Sequence, residues 1–435
     1  MLNVVPFPSD RSQRVFLFLQ GPHGPFLAEL ATVLAGTGAM VWRVGFNRGD
    51  EHFWHDRDSF IPFKGGSSDW PAACTELLEQ KQVTDIVLYG DTRPVHAEAI
   101  RQAKAAGITV HVFEEGYLRP YWVTYERDGS NGNSRLMNLS IADMRAALDW
   151  VTGEPPSAPS RWGDLREHVF YGALYHFNVL ARNGRYPNFR SHRALSVMSE
   201  FRLYLQRLML MPLHAVDRMV ATQRIRRGGF PFHVVLLQLE HDSNFLGHSP
   251  FGSMSAFIDT CARAFAAGAP AHHHLVFKSH PLDDGRVHLR RAIDKAAREN
   301  GLEGRVHLIR SGKLAALLNH ARSAVTVNST SAQQVLWRGL PLKALGRSVY
   351  NKPELVSSQP LEEFFARPIR PDVSAYRDFR NFLLETSQFS GSFYSRRGRS
   401  ILLRQVVDVM LAAEDPYCAL RLRTAPPRPH IRAVV

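Results

Sequence analysis

Glu114 and Glu115 stand side by side in the run Glu114-Glu115-Gly116-Tyr117-Leu118-Arg119-Pro120, directly after a strand-like stretch at 109–113. Two carboxylates this close repel each other, which raises the proton affinity of at least one. A carboxyl tuned in that way can act as nucleophile or as general acid and base. Gly116 lets the chain turn sharply and come near a substrate. Arg119 offers a planar fork for a carboxylate or a phosphate. The same run also suits an exposed acidic turn with a surface salt bridge, and the spacing alone leaves both open.

Three more polar loops belong with it. The first reads Gln20-Gly21-Pro22-His23-Gly24-Pro25-Phe26, the second Phe46-Asn47-Arg48-Gly49-Asp50, the third Gly90-Asp91-Thr92-Arg93. Each follows a strand-like run, so Gly21, His23, Asn47, Asp50, Asp91, Arg93 and Arg119 are candidate substrate contacts. Glycines before a helix let backbone N–H groups approach an anion or a sugar. The spacing is neither a dinucleotide fingerprint nor a Walker loop, and a plain tight turn fits it too. Four polar loops on one sheet edge carry more weight than any one.

The second half has its own set. Gln238-Leu239-Glu240-His241-Asp242 leads into His248-Ser249-Pro250-Phe251, which adds Gln238, Asp242, His248 and Ser249 to the substrate contacts. Lys278-Ser279-His280-Pro281 and Asn328-Ser329-Thr330-Ser331 each follow a strand. Hydroxyls and free N–H groups at a helix start favour an anion, and Lys278 and His280 could neutralise a phosphate. These residues, with Pro281, form a candidate nucleotide-phosphate pocket; an ordinary helix cap is the plainer alternative for 328–331. His272-His273-His274 does not read as a metal site, because successive strand residues point to opposite faces. No Gly-x-Ser-x-Gly elbow is present, which removes the hydrolase reading.

These loops need a frame. Strand-like runs at 14–20 (RVFLFLQ), 40–44, 85–89 (DIVLY) and 109–113 alternate with helical stretches at 26–35 and 95–106. The alternation returns at 233–239 (HVVLLQL), 274–278, 306–309, 324–327 and 341–345, with helices at 253–267 and 332–338. This is the spacing of parallel α/β sheets, whose ligands sit at the carboxyl ends of the strands. The expected organisation is an N-terminal half (1–140), a helical basic connection (141–229), a second half (230–370) and C-terminal helices with a tail (371–435). The connection has a proline-rich break at 153–159, and its 196–227 stretch mixes apolar residues with arginines. That pattern suits an anionic membrane surface, or equally a linker helix with its charges in water.

Composition narrows the class. The chain has 435 residues and a formal charge of +13, from 53 Lys and Arg against 40 Asp and Glu. An anionic partner or simple solubility would both account for that. No apolar run nears the roughly 20 residues of a membrane span. The three cysteines, Cys74, Cys261 and Cys418, are scattered, which argues against a disulfide framework and for a reducing compartment. The arginines are dispersed and no nucleic-acid recognition module is found, so no nucleic-acid partner is expected.

The glycine-rich first loop, the Phe46-Asn47-Arg48-Gly49-Asp50 loop, the Glu114-to-Pro120 run, His248-Ser249-Pro250-Phe251, Lys278-Ser279-His280-Pro281 and Val327-Asn328-Ser329-Thr330 together resemble the capsular polysaccharide biosynthesis proteins of the KpsS/LipB type. The motifs occur in the same order from about residue 15 to 365. The resemblance implies a GT-B-like fold: two Rossmann-like parallel-sheet domains facing a cleft, with a helical insertion between them. It also implies a retaining β-Kdo glycosyltransferase that uses CMP-Kdo as donor and needs no cofactor. The acceptor would be a (lyso)phosphatidylglycerol, on which the poly-Kdo linker of a capsule is started.

Related β-Kdo transferases carry Glu-Asp-Gly where this chain has Glu114-Glu115-Gly116. By that resemblance Glu115 is the nucleophile of a double displacement and Glu114 its partner. His280, with Lys278, Pro281 and the 328–331 helix start, would hold and release CMP, while Arg119 or Arg93 holds the Kdo carboxylate. The protein is then expected on the cytoplasmic face of a bacterial inner membrane. A second Kdo transferase and the capsule export complex are its further implied partners. Two other readings remain: a non-catalytic export component, and a GT-B enzyme with another nucleotide sugar.

Overall fold

The computed structural model describes residues 13–152, 165–189, 227–310 and 312–424, together with 202, 203, 209, 213, 216 and 219–225. The proline-rich break, most of 196–218 and the tail beyond 424 lie outside the described residues.

Twelve strands are described: β1 (Val15–Phe18), β2 (Met40–Gly45), β3 (Phe60–Pro62), β4 (Asp85–Tyr89), β5 (Thr109–Glu115), β6 (Trp122–Arg127), β7 (Phe232–Leu236), β8 (His274–Lys278), β9 (Val306–Ile309), β10 (Ser323–Thr326), β11 (Leu342–Ala344) and β12 (Gln388–Ser390). They form two sheets, ordered β12-β6-β5-β4-β1-β2-β3 and β11-β10-β7-β8-β9. The second sheet is wholly parallel. The first is parallel from β5 to β3 and antiparallel where β5, β6 and β12 pair. This is the two-sheet α/β architecture expected from the sequence.

Burial on both faces explains the apolar runs. Phe16 and Phe18 of β1 pack on one side with Phe26, Leu30 and Leu34, which the helix Phe26–Ala35 presents at four-residue intervals. Leu17 and Leu19 face the other side, with Trp70, Leu78, Ile100 and Ala103. In the second half Val235 and Leu237 meet Phe257, Cys261 and Phe265 of the helix Met254–Gly268. A strand covered on both faces has no polar side to show, so its sequence is continuously hydrophobic.

Beyond residue 370 the chain returns to the first half. The helix Val373–Thr386 packs on the helix Ile141–Leu148. β12 then pairs antiparallel with β6, matching Gln388 with Thr124 and Ser390 with Trp122. The helix Arg396–Leu411 follows and lies against the helix Phe26–Ala35. The last segment thus supplies an edge strand of the first sheet.

The polar ends of the two sheets meet. Thr92, after β4, reaches the Ser243 carbonyl at 3.5 Å. Arg347 Nη2 donates to the Gly132 carbonyl at 2.6 Å, and Lys352 Nζ to the Leu136 carbonyl at 2.6 Å. The carboxyl ends of both sets of parallel strands therefore face a common junction. Among the described residues, no helix is long and apolar enough to cross a membrane.

Candidate active site

Glu114 and Glu115 are the last two residues of β5, paired with Thr124 and Val123 of β6, not a loop after the strand. Alternation along a strand therefore sends their side chains to opposite faces. The hairpin is held close by Gly116, whose N–H donates to the Trp122 carbonyl at 3.0 Å. A Cβ there would sit 2.3 Å from that same oxygen, so the position needs glycine for space. Behind it the buried Glu126 accepts from the Tyr117 hydroxyl at 2.5 Å and from Ser134.

Glu114 looks toward the junction. Its Oε1 accepts the Glu115 amide at 3.0 Å, and its Oε2 lies beside Gly90, which takes a φ of +70° at the end of β4. Loss of water pushes its carboxyl up to about 8, and the negative charges of Glu115, Asp242 and Asp91 add to the rise. At neutral pH Glu114 is mostly protonated. Asp242 comes from the other half, so this carboxyl is where the two halves meet electrostatically.

Glu115 has different company. Its Oε1 accepts from the Tyr394 hydroxyl at 3.2 Å and from the Tyr89 hydroxyl at 3.4 Å. Burial, then the charge of Glu115, pushes both phenols well above their ordinary range, so both stay protonated donors. Arg93 lies 5.5 Å from the Tyr89 ring. The His168 ring meets Tyr394 edge-on at 4.0 Å, and His23 lies 4.7 Å from Tyr394. Tyr89, Tyr394 and His168 were not singled out from the sequence. They are contributed by β4, the C-terminal segment and the connecting helix Leu165–Ala181, and no local motif links them.

The other predicted contacts divide. Gly21 packs tightly on Leu27. Asn47 caps the short helix Arg48–His52 through the Asp50 amide at 2.9 Å and donates to the Tyr175 hydroxyl at 2.8 Å. Asp50 accepts from Phe46 N at 3.0 Å and from Gln20 at 3.3 Å, so both side chains are spent within the buried wall behind the first loop. Asp91 fixes the next turn, accepting from Ser130 N at 2.8 Å and Asn133 at 3.1 Å. Arg119 is exposed and turns back on the Gly116 carbonyl at 3.3 Å. Arg93, not Arg119, shares the surroundings of Tyr89.

In the second half Gln238 and Asn328 are bonded twice, through Nε2 to Oδ1 at 2.8 Å and through Asn328 N to Oε1 at 3.0 Å. This joins the ends of β7 and β10. Asp242 caps the helix Ser243–His248. His248 is buried at the junction near Asp91 and Arg347. Ser249 closes its own turn on Phe251 N at 2.9 Å. His280 Nδ1 accepts the Leu282 amide at 3.1 Å, which leaves the proton of the neutral ring on Nε2. At 328–331, Ser329 N goes to Thr326 Oγ1 at 3.3 Å and Ser331 N to Ser329 Oγ at 3.2 Å, while Gln333 N is taken by the Thr330 carbonyl at 3.1 Å. Lys278 bonds the Ser279 carbonyl at 2.9 Å and lines a cavity of about 800 Å³ with Phe230, Phe232, Ile309 and Leu317. Pro281 follows His280 in the same turn.

Two mostly parallel α/β halves, with the carboxylate pair at the end of a strand of the first, make this a two-sheet α/β protein. Residues 84–394 match the family described as capsule polysaccharide biosynthesis protein, and the chain belongs to that family. The capsule polysaccharide export protein KpsS of Escherichia coli is 30% identical over 389 residues, covering 88% of this chain and 97% of that protein. The capsule polysaccharide modification protein LipB of Neisseria meningitidis serogroup B is 30% identical over 383 residues, covering 87% and 91%. Among solved structures, the beta Kdo 2,7 transferase KpsC of Thermosulfurimonas dismutans aligns over 92% of this chain and 100% of its own, with 10% identity and a TM-score of 0.43.

Proposed function

We propose that this chain is a retaining β-Kdo glycosyltransferase, moving Kdo from CMP-Kdo to a (lyso)phosphatidylglycerol and so starting the poly-Kdo linker of a capsule. The observation that carries the reading is the divided carboxylate pair at the end of β5. Glu115 is held by two protonated phenols, while Glu114 is raised to about 8 at the junction of the halves. A carboxyl kept neutral next to one that accepts two phenolic hydrogen bonds suits two roles in one displacement.

In this mechanism CMP lies on the second half, against the loops that hold Gln238, Asp242, His280, Pro281 and Asn328 to Ser331. A Glu115 oxygen bonds to the anomeric carbon as the bond from that carbon to the CMP phosphate breaks, and CMP leaves with the electron pair. A lipid hydroxyl then displaces Glu115 from the same face, and two inversions give retention. Glu114, protonated, donates into the cleft and keeps a second negative charge away from the Kdo carboxylate. Arg93, beside the Tyr89 ring, would hold that carboxylate.

The inner leaflet is the proposed location. Val169, Phe170, Phe177 and Leu180 are exposed on the helix Leu165–Ala181, and Leu213, Val216, Met219 and Val220 on the basic stretch. Apolar side chains on a cationic protein suit an anionic bilayer surface.

The test is a transfer assay with purified protein, CMP-Kdo generated in place and a fluorescent lysophosphatidylglycerol. A product heavier by one Kdo, with a β-configured anomeric centre by NMR, supports the reading. The name of the KpsS relative favours a second one, a non-catalytic part in export. Lipid binding with no CMP binding would select it.

A further inference from the structure

The helix Leu165–Ala181 lies in the connection between the halves, yet its inner side is built into the Glu115 site. Tyr175 meets Asn47, and Glu167 accepts the Arg396 amide at 2.9 Å. Gly172 sits against the His23 ring. Held in this way, the helix sets the half-buried His168 edge-on to Tyr394 at 4.0 Å and to His23 at 4.8 Å. Tyr394 in turn donates to Glu115.

We propose that His168 takes the proton of the acceptor hydroxyl at this site. The proposal rests on the retaining mechanism above. As the acceptor oxygen bonds to the anomeric carbon, the bond from that carbon to Glu115 breaks and its electron pair returns to the carboxylate. The hydroxyl proton passes to a ring nitrogen of His168 and from there to water.

The two glutamates and the two tyrosines around this site are poorly suited to the step. Glu115 is tied up as an ester until it leaves. Glu114 is mostly protonated and points to the opposite face of the sheet. Tyr89 and Tyr394 are held as phenols. The titratable groups facing His168 are Glu115 from the sheet, Tyr394 from the C-terminal segment and His23 from the first loop. Burial lowers the His168 proton affinity and the Glu115 charge raises it. The resting imidazole is therefore neutral at pH 7, and the imidazolium forms as the neighbouring carboxylate regains its charge.

The full chain and His168→Gln would be compared for CMP release and for lipid product across pH 5 to 9. The expected result is a loss of lipid product of about 100-fold or more in His168→Gln. The first burst of CMP should persist, and the acid limb of the pH profile should disappear. Free imidazole should restore part of the transfer in His168→Ala, which a merely structural loss would not allow. Normal transfer with an unchanged pH profile in His168→Gln overturns the proposal and leaves the function standing. Equal loss of CMP release and transfer, without rescue, also overturns it. Failure of the unaltered protein to release CMP overturns the function itself, and the proton step with it.

Discussion

Glu114 and Glu115 are consecutive in the chain, but their carboxylates work on opposite faces of β5. One lies beside Gly90 and feels Asp242 of the other half, while the other is bonded by Tyr89 and Tyr394. Repulsion from Glu115 adds to the raised proton affinity of Glu114 but ranks after loss of water. Loss of water comes first for Glu114, and two phenolic donors keep Glu115 an acceptor.

Glu114→Gln keeps a neutral hydrogen-bond donor at this position, so transfer should persist and should no longer fall above about pH 8. In the unaltered protein, activity should fall as pH passes about 8, when the Glu114 carboxyl ionises. The stability of the unaltered protein also falls as pH rises, over a lower window. A carboxyl with a raised folded pKa binds more protons folded than unfolded between about 4.3 and 8, so stability declines across that window. Glu114→Gln removes the decline and should melt higher than the unaltered protein at pH 8. A lower melting point at pH 8 would contradict the assigned surroundings of Glu114.

Glu115→Gln should abolish transfer and leave CMP binding intact, because Glu115 makes its bonds within the first half. Isothermal titration with CMP measures the binding, and mass spectrometry the product. Near-normal turnover would remove Glu115 as nucleophile.

Gly116→Ala tests the hairpin. The added methyl would overlap the backbone oxygens of Trp122 and Leu118, which have no side-chain freedom to yield. A cost of about 1–3 kcal/mol is expected, read as a lower urea midpoint. Activity per folded molecule should fall as well, since Glu115 adjoins the displaced segment. An unchanged midpoint would mean that the hairpin has room to relax.

The parallel strands were legible because burial on both faces writes an unbroken apolar run. The strand at 14–20 and the helix at 26–35 show this in their agreement with Val15–Phe18 and Phe26–Ala35. β6 was not legible. Its partner β12 lies far along the chain, and Trp122–Arg127 carries Thr124, Glu126 and Arg127, whose partners come from elsewhere. The glutamate pair was visible as chemistry, but its division was missed by ending the strand at Phe113. Extending the two-residue period to Glu115 would have separated the side chains. His168 and Tyr394 left no such signal, because their meeting depends on how a helix and a returning segment dock.

The amino ends of β7, β8 and β9 should make the protein acid-sensitive. His233 Nε2 is 3.0 Å from His273 Nδ1, and His274 Nδ1 is 2.9 Å from His307 Nε2, with Phe230 stacked on His274 at 3.7 Å. Burial, then neighbouring positive charge, pushes His233 down to about 3 and His273 and His307 to about 4. The unfolded chain takes these protons near 6.5 and the folded one refuses them until about 4. Stability is therefore full above about 6.5 and falls toward pH 4, by about 1.4 kcal/mol per pH unit for each such group. His307→Phe should flatten the fall in melting temperature over that range, and an unchanged slope would contradict this.

Asp85, at the opposite end of β4 from Tyr89, offers a control for stability without catalysis. It is buried, and it accepts from Arg14 Nε at 3.0 Å, Thr84 Oγ1 at 2.6 Å and His111 Nε2 at 2.8 Å. Burial alone would raise its proton affinity, but the bonds from His111 and Arg14 outweigh that and hold the carboxyl ionised. Asp85→Asn keeps the shape and removes the charge, leaving Arg14 and His111 against a neutral amide. Breaking one side of a buried charged network costs about 3–5 kcal/mol, and partial exposure of Arg14 places the expectation at the low end, about 3. The urea midpoint should fall accordingly. Four residues of strand, about 13 Å, separate Asp85 from Tyr89, so turnover per folded molecule should hold at its normal value. A loss of turnover in the folded variant would show that the strand transmits the change to the Glu115 site.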